Sequence, residues 1–142
     1  MKYEEKNVVK ALFFAAKNIR VLLANMLREF DIGFEQAGIL SVVKKNKMSS
    51  INEIAAIFDK DKGTISRAMK TLEAKGLISR IHQDGDKRVV YIELTELGRK
   101  KVEIIEKVMQ EINEQKIDKA LQDEEKKAFL KTLNKILEAF YE

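Results

Sequence analysis

The chain has 142 residues, with 27 Lys plus Arg against 23 Asp plus Glu, one His, and no Cys, Trp or Pro. Without cysteine there is no disulfide framework, thiolate metal site or thiol switch, and a lone histidine builds no His-rich metal cage. A hydrophobic fraction of 45% beside a charged fraction of 35% is too apolar for disorder and too charged for a membrane protein, and no apolar run approaches the ~20 residues of a membrane span. Scarce glycine and absent proline then predict long helices with few breaks. Over residues 8–30, Val9, Leu12, Phe13, Ala16, Ile19, Leu22, Leu23, Met26, Leu27 and Phe30 form one wide stripe at helical spacing. This first helix is interrupted at Asp31-Ile32-Gly33. Residues 34–45 form a second, short helix with Ala37, Leu40 and Val43 inward, and Lys44-Lys45-Asn46-Lys47 a polar corner. Ser50-Ile51-Asn52-Glu53 reads as a capping box that opens a third helix. That helix ends at Phe58-Asp59-Lys60-Asp61, a turn with a new cap at Asp61. The fourth helix runs to Lys75, buries Ile65, Ala68, Met69 and Leu72, and stops at Gly76. Two short helices joined by a tight turn make a helix-turn-helix.

After Gly76 the apolar period changes to two. Residues 77–81 and 89–94 are β-rich runs separated by a polar loop, residues 82–88, with Asp84-Gly85 at its tip. This is a β-hairpin, or wing. Thr95 caps a long helix through Val102, Ile105, Val108, Met109 and Ile112. A polar break at 115–118 precedes a final helix with Phe129, Leu130, Leu133, Ile136, Leu137 and Phe140 inside. The expected fold class is mainly α (α+β): a winged helix-turn-helix with a small hairpin wing, flanked by long N- and C-terminal helices.

A nucleic-acid footprint is a local excess of charge. Residues 42–91 carry eleven bases and six acids, a net of +5, and the remainder sums to −1. In a helix-turn-helix the second helix enters the major groove by its N-terminal end. With its apolar set inward, the outward positions are Lys62, Gly63, Ser66, Arg67 and Lys70, with Thr64 at the margin and Lys60 in the preceding turn. Arg67 can make paired hydrogen bonds to guanine, worth ~1–3 kcal/mol of discrimination. Ser66, Thr64 and Lys70 suit phosphates or base edges. Gly63 either admits a phosphate close to the backbone or is merely tolerated, at ~1 kcal/mol relative to alanine. On the wing, Lys87 and Arg88 are placed to reach the adjacent minor groove. Asp86 beside them suits a two-bond pairing with Arg80 or Arg88; an exposed pair stabilises by only ~0–1 kcal/mol, so positioning is its better explanation. His82, a lone histidine on the wing, is expected to touch phosphate or solvent in preference to joining a metal site.

Together these residues carry a family resemblance. The stretch from Ser50-Ile-Asn-Glu-Ile-Ala-Ala through Thr64-Ile-Ser-Arg-Ala-Met-Lys-Thr-Leu-Glu-Ala-Lys-Gly-Leu-Ile-Ser-Arg80, the wing Asp86-Lys-Arg88 and Leu94-Thr-Glu-Leu-Gly98 resembles the winged helix of the MarR (multiple antibiotic resistance regulator) family, and the long flanking helices extend the likeness over nearly the whole chain. The resemblance implies a homodimeric transcriptional regulator whose first and last helices interlock, with paired recognition helices on a pseudo-palindromic site and often a small-molecule effector. Some members sense oxidants through an N-terminal cysteine, which this chain lacks.

The expected organisation is an N-terminal dimerisation helix (1–33), a winged helix-turn-helix (34–95) and C-terminal dimerisation helices (96–142) in one intertwined unit. A partner copy also follows without the family. The first and last helices offer more apolar surface than a winged helix of roughly fifty residues can cover, and self-complementary surfaces close into dimers. The expected partners are therefore double-stranded DNA, a second copy and an effector of unknown identity, with no cofactor and no membrane. Lacking an apolar signal core at its start, the chain is expected in the cytoplasm. Phe13, Phe14, Lys17, Phe34 and Ile39 are loose candidates for an effector pocket, or simply core. Alternatives are a sequence-neutral architectural DNA binder and a winged-helix protein-interaction module. An enzyme is disfavoured by the absence of a nucleophilic cysteine, a glycine-rich phosphate loop or a second histidine.

Overall fold

The structure is a computed structural model that describes residues 6–47, 49–82 and 89–141. In chain order these form α1 (Val8–Arg28), α2 (Phe34–Asn46), β1 (Ser49–Ser50), α3 (Ile51–Phe58), α4 (Lys62–Ala74), β2 (Ile78–His82), β3 (Val90–Leu94), α5 (Glu96–Ile112), a π-helical turn (Asn113–Ile117), α6 (Asp118–Ala120) and α7 (Asp123–Phe140). The chain divides into two compact units, Met1–Glu106 and Lys107–Glu142.

Local chemistry sets most boundaries in the first unit. Asn7 opens α1 by accepting from the Lys10 amide at 3.0 Å. Past the end of α1, Asp31 adopts a left-handed conformation (φ 56°), and the Ile32 amide reaches back to the Leu27 carbonyl at 3.3 Å. Leu27 and Ile32 are both buried, the apolar contact that accompanies this kind of helix stop. The α1–α2 corner is fastened from two sides. Lys75 Nζ donates to the Asp31 carbonyl at 2.9 Å and Lys101 Nζ to the Phe30 carbonyl at 2.7 Å. Gly76 ends α4 as expected. It takes a positive φ of 73°, and the Leu77 amide bonds the Leu72 carbonyl at 3.0 Å, the six-to-one closure that glycine makes easy.

The core gathers Ile39, Leu40 and Val43 of α2, Ile54 of α3, Ile65, Met69 and Leu72 of α4, Ile92 of β3 and Val102 of α5, all 3% exposed or less. The expected inward set of α4 holds, with Ala68 half-buried. The hairpin is antiparallel, with Ile78 opposite Leu94 and His82 opposite Val90. The sheet has a third strand that the sequence reading did not include: β1 pairs with β3, Ser49 opposite Ile92, giving the order β1-β3-β2. Two residues are too few to show a period.

The Leu94-Thr95-x-x-Gly98 motif has a structural cause. Thr95 Oγ1 accepts from the Gly98 amide at 3.0 Å and donates to the Gly76 carbonyl at 2.6 Å, while the Thr95 amide donates to the Leu77 carbonyl at 3.1 Å. The first turn of α5 is thereby pressed onto the end of α4. A Cβ at Gly98 would overlap the Leu77 carbonyl oxygen, so only glycine fits.

In the second unit the polar break expected at 115–118 is absent. Gln, Lys and Asp are polar without being helix breakers, and the chain continues through the π-helical turn into α6. The break falls at Leu121, which is extended (φ −125°, ψ 140°). Lys126 then bridges Asp118 at 2.6 Å and Asp123 at 3.2 Å. Its ammonium is held above the usual lysine range, chiefly by the hydrogen bond to Asp118. The residues expected inside α7 also differ: none is buried. Phe129, Leu130, Leu137 and Phe140 are exposed and Leu133 and Ile136 half-buried, because an amphipathic period identifies an apolar face without supplying what covers it. The stripe of α1 behaves alike. Only Leu27 is buried, while Val9, Phe13, Ile19 and Leu22 are exposed, Phe13 by 66%.

Candidate nucleic-acid interface

The interface is built on α3, the turn Asp59–Asp61 and α4. Ser50 starts α3 by accepting from the Glu53 amide at 3.1 Å, the serine half of the expected capping box. Asp59 reverses the chain in a left-handed conformation (φ 49°), a geometry that aspartate tolerates better than most residues. Asp61 then caps α4, one carboxylate oxygen accepting from the Thr64 amide at 2.8 Å. Burial of Ile65, Met69 and Leu72 fixes the rotation of α4 and leaves Lys62, Gly63, Arg67 and Lys70 exposed, with Thr64 and Ser66 half-buried. These six occupy the outward face that the spacing predicts.

Their side chains are not equally available. Arg67 Nη2 donates to Thr64 Oγ1 at 3.2 Å, and Thr64 Oγ1 donates in turn to the second oxygen of Asp61 at 2.8 Å. The Asp61 carboxyl is held below the usual aspartate range, first by the Thr64 amide, then by the Thr64 hydroxyl and the Arg67 charge. Gly63 has a local reason beyond tolerance: a Cβ there would stand 3.1 Å from Asp61 Oδ1 and 3.4 Å from Arg67 Nη1. Ser66 and Lys62 border a shallow groove of about 220 Å³, shared with Ser50, Asn52 and Val90.

Two of the candidate cations are already paired. Lys60 Nζ donates to Glu35 Oε1 of α2 at 2.9 Å, and Arg20 of α1 stands 3.8 Å from the same oxygen while lying 5.2 Å from the centre of the Phe34 ring. The Lys60 hydrogen bond is the main reason that the Glu35 carboxyl is held below the usual glutamate range. Arg80 Nε donates to Glu73 Oε2 at 2.6 Å, so its partner on α4 is Glu73. Asp86, Lys87 and Arg88 lie outside the described residues. Glu35, Glu73 and Asp61 are the functional neighbours that the sequence reading missed or took only as a cap. The first lies 25 residues from Lys60 with no local signal, whereas the spacing 61, 64, 67 was on view.

Behind α4 lies an apolar cavity of about 220 Å³, lined by Phe34, Ile39, Phe58, Ile65 and Ala68 and rimmed by Arg20, Glu35 and Lys60. Of the loose pocket candidates, Phe34 and Ile39 line it. Phe13 and Phe14 instead meet each other edge to face, ring centres 5.4 Å apart. Among the described residues no cluster of acids or histidine could hold a metal ion, and no helix is long and apolar enough to cross a membrane.

Helix-turn-helix, three-stranded sheet and cationic outward face together define a winged helix-turn-helix protein. The family model described as "Transcriptional regulator SarA/Rot" matches residues 21–105. The chain belongs to this family of transcriptional regulators, and its fold is the MarR-type winged helix that the motifs resembled. Among its relatives is the HTH-type transcriptional regulator SarZ of Staphylococcus aureus, 27% identical over 97 residues that make up 68% of this chain. The match spans 66% of SarZ, just under two thirds of its length. Among solved structures, S. aureus MepR in a complex with DNA is 28% identical, covering 96% of this chain and 99% of MepR with a TM-score of 0.81. Apo MarR of E. coli superimposes with a TM-score of 0.83 over 95% of this chain and 99% of MarR, and at 23% identity it is a likeness of fold alone.

Proposed function

We propose that the chain is a homodimeric, sequence-specific DNA-binding transcription regulator, a repressor that occupies a pseudo-palindromic operator and is released by a small ligand. The recognition helix, residues 61–75, enters the major groove, and the loop at 82–88, with Lys87, Arg88 and Asp86, lies along the minor groove. The observation that carries the reading is the N-terminal face of α4, where Lys62, Arg67 and Lys70 stand exposed around Gly63, matching the type of surface a duplex requires. The known structure of MepR with DNA, on the same fold, supports it.

The two-copy assembly rests on exposed apolar residues. Val9, Phe13, Ile19 and Leu22 on α1, and Phe129, Leu130, Leu137 and Phe140 on α7, would each face water in a single chain, and exposed apolar residues grouped along one helix mark a surface for a partner. A two-fold partner covers both sets and spaces two α4 helices roughly one duplex turn apart. Residues 1–33 and 96–142 are then the dimerisation segments and 34–95 the reading segment. For the ligand, the cavity behind α4 is the site of choice: a bound molecule there touches Phe34 of α2 and Ile65 of α4, coupling occupancy to the placement of the recognition helix.

Charge reversal tests the reading. Arg67→Glu lies on an exposed face, so the circular dichroism spectrum and sedimentation coefficient should match wild type while retention of duplex DNA is lost. A variant that binds duplex like wild type would exclude α4 as the reading surface, and a wild-type protein sedimenting as a monomer at micromolar concentration would exclude the dimer.

A further inference from the structure

The cap and first two turns of α4 carry three side chains spaced by three residues, Asp61, Thr64 and Arg67, each within reach of the next. Their hydrogen bonds have a direction. A threonine hydroxyl has one proton and two lone pairs. The proton goes to Asp61 Oδ2 at 2.8 Å, which leaves lone pairs free, and Arg67 Nη2 donates to one of them at 3.2 Å. The other Asp61 oxygen takes the Thr64 amide at 2.8 Å, so the carboxylate is held at both ends and cannot turn away. Gly63 lies inside this arrangement, where a Cβ would crowd Asp61 Oδ1 at 3.1 Å and touch Arg67 Nη1 at 3.4 Å. Capping α4 uses one Asp61 oxygen, and the second, on a face that meets phosphates, is tied through Thr64 to the cation beside it.

We infer that Asp61 and Thr64 are positioning residues of the DNA-reading site: they set the orientation of the Arg67 guanidinium before a duplex arrives, and Gly63 preserves the space in which they do so. The inference rests on the proposed role of Arg67 as the base reader. Thr64 then has a different part from the one its residue type suggests. Its proton is already given to Asp61, so it serves the duplex through Arg67 instead of bonding a phosphate or base. An arginine side chain has many rotamers, and holding it in the bound orientation lowers the ordering cost of recognition. The gain falls on the matched duplex, where the guanidinium must meet two base acceptors at once, and not on arbitrary duplex, where any orientation near a phosphate serves.

The test uses full-length protein and two duplexes of equal length, one enriched from a random pool by the wild-type protein and one a scramble of it. The readout is the ratio of the two affinities. Thr64→Val keeps the backbone amide that Asp61 caps and removes only the hydroxyl. It should lower the ratio about three- to tenfold through the enriched duplex alone, the effect of one hydrogen bond, while Thr64→Ser retains wild-type discrimination. Arg67→Ala should lower the ratio about 5- to 150-fold, and adding Thr64→Val to it should change nothing further. Asp61→Asn, which still offers an oxygen to the Thr64 amide, and Gly63→Ala should reduce the ratio in the same sense. A Thr64→Val protein that discriminates like wild type would overturn the inference, as would an equal Thr64→Val loss in the Arg67→Ala background, which would make Thr64 a direct contact. If Arg67→Ala itself leaves the ratio unchanged, the reading role of Arg67 fails and the positioning role falls with it.

Discussion

Gly98→Ala adds a single methyl group at the first turn of α5, and its effect can be worked from the geometry. The new Cβ would overlap the Leu77 carbonyl oxygen and stand 3.0 Å from the Leu77 carbonyl carbon. Both are backbone atoms, so no side chain can swing aside. Relief requires the start of α5 to move by about an ångström, which opens the bond from the Thr95 amide to the Leu77 carbonyl, 3.1 Å long in the native chain. Overpacking of this kind costs ~1–3 kcal/mol, and the lost hydrogen bond adds ~0.5–1.5 kcal/mol. Alanine returns ~1 kcal/mol through its better helix propensity. The balance is a destabilisation of ~0.5–3.5 kcal/mol, or roughly 2–12 °C in Tm for a chain of this size. Urea unfolding followed by circular dichroism measures it, with Gly76→Ala as the comparison. At Gly76 nothing lies within 4 Å of a new Cβ, and the left-handed backbone alone sets a cost of ~1–2 kcal/mol. A Gly98→Ala protein as stable as wild type, or more so, would refute the clasp between α5 and the end of α4.

Other outcomes follow from the ion pairs and the exposed faces. The depressed Glu35 carboxyl means that its ionised form is favoured in the folded chain. Its contribution is fully present above the ordinary glutamate pKa of ~4.3 and is lost as pH falls through the lower folded value. The urea midpoint of wild type should therefore exceed that of Glu35→Gln at pH 7, with the gap closing toward pH 3; a gap constant across that range would remove Glu35–Lys60 as its source. Glu73→Gln releases Arg80 from its 2.6 Å pair. Affinity for random duplex at low salt should rise about two- to fivefold as a counter-charge is removed, with stability changed by under ~1 kcal/mol, and unchanged affinity in filter binding would separate Arg80 from the duplex. Phe129, 57% exposed on α7, should tolerate aspartate in a lone chain. Within a dimer, Phe129→Asp should shift sedimentation from two copies to one, and a variant that stays dimeric would clear α7 of that role.

What could be read from the sequence was what is decided locally. Asp61, Gly76 and Thr95 each settle a helix end within three or four residues, so their positions were legible, and the rotation of α4 followed from Ile65, Met69 and Leu72. Polarity at 115–118 reads as a break because Gln, Lys and Asp resemble a loop while retaining adequate helix propensity. β1, at two residues, is too short to carry a period of its own. The amphipathic pattern of α7 identified a face but not what covers it, and in one chain that face is exposed. On the candidate site, Lys62, Arg67 and Lys70 lie where periodicity put them. The pairing of Lys60 with Glu35 was invisible because it depends on how α2 meets the turn before α4, a tertiary arrangement between residues 25 apart. Arg80 pairs with Glu73 across the α4–β2 turn, seven residues away and off any single helical face.

Sequence-selective binding is the central claim, and competition at physiological salt measures it most directly. A duplex enriched from a random pool by the wild-type protein should displace the chain at least about a thousandfold better than its scramble, and the enriched sequences should show two related half-sites roughly 10 base pairs apart. Preference of only a few-fold, with no repeated half-site, would contradict it and leave a sequence-neutral DNA binder in its place.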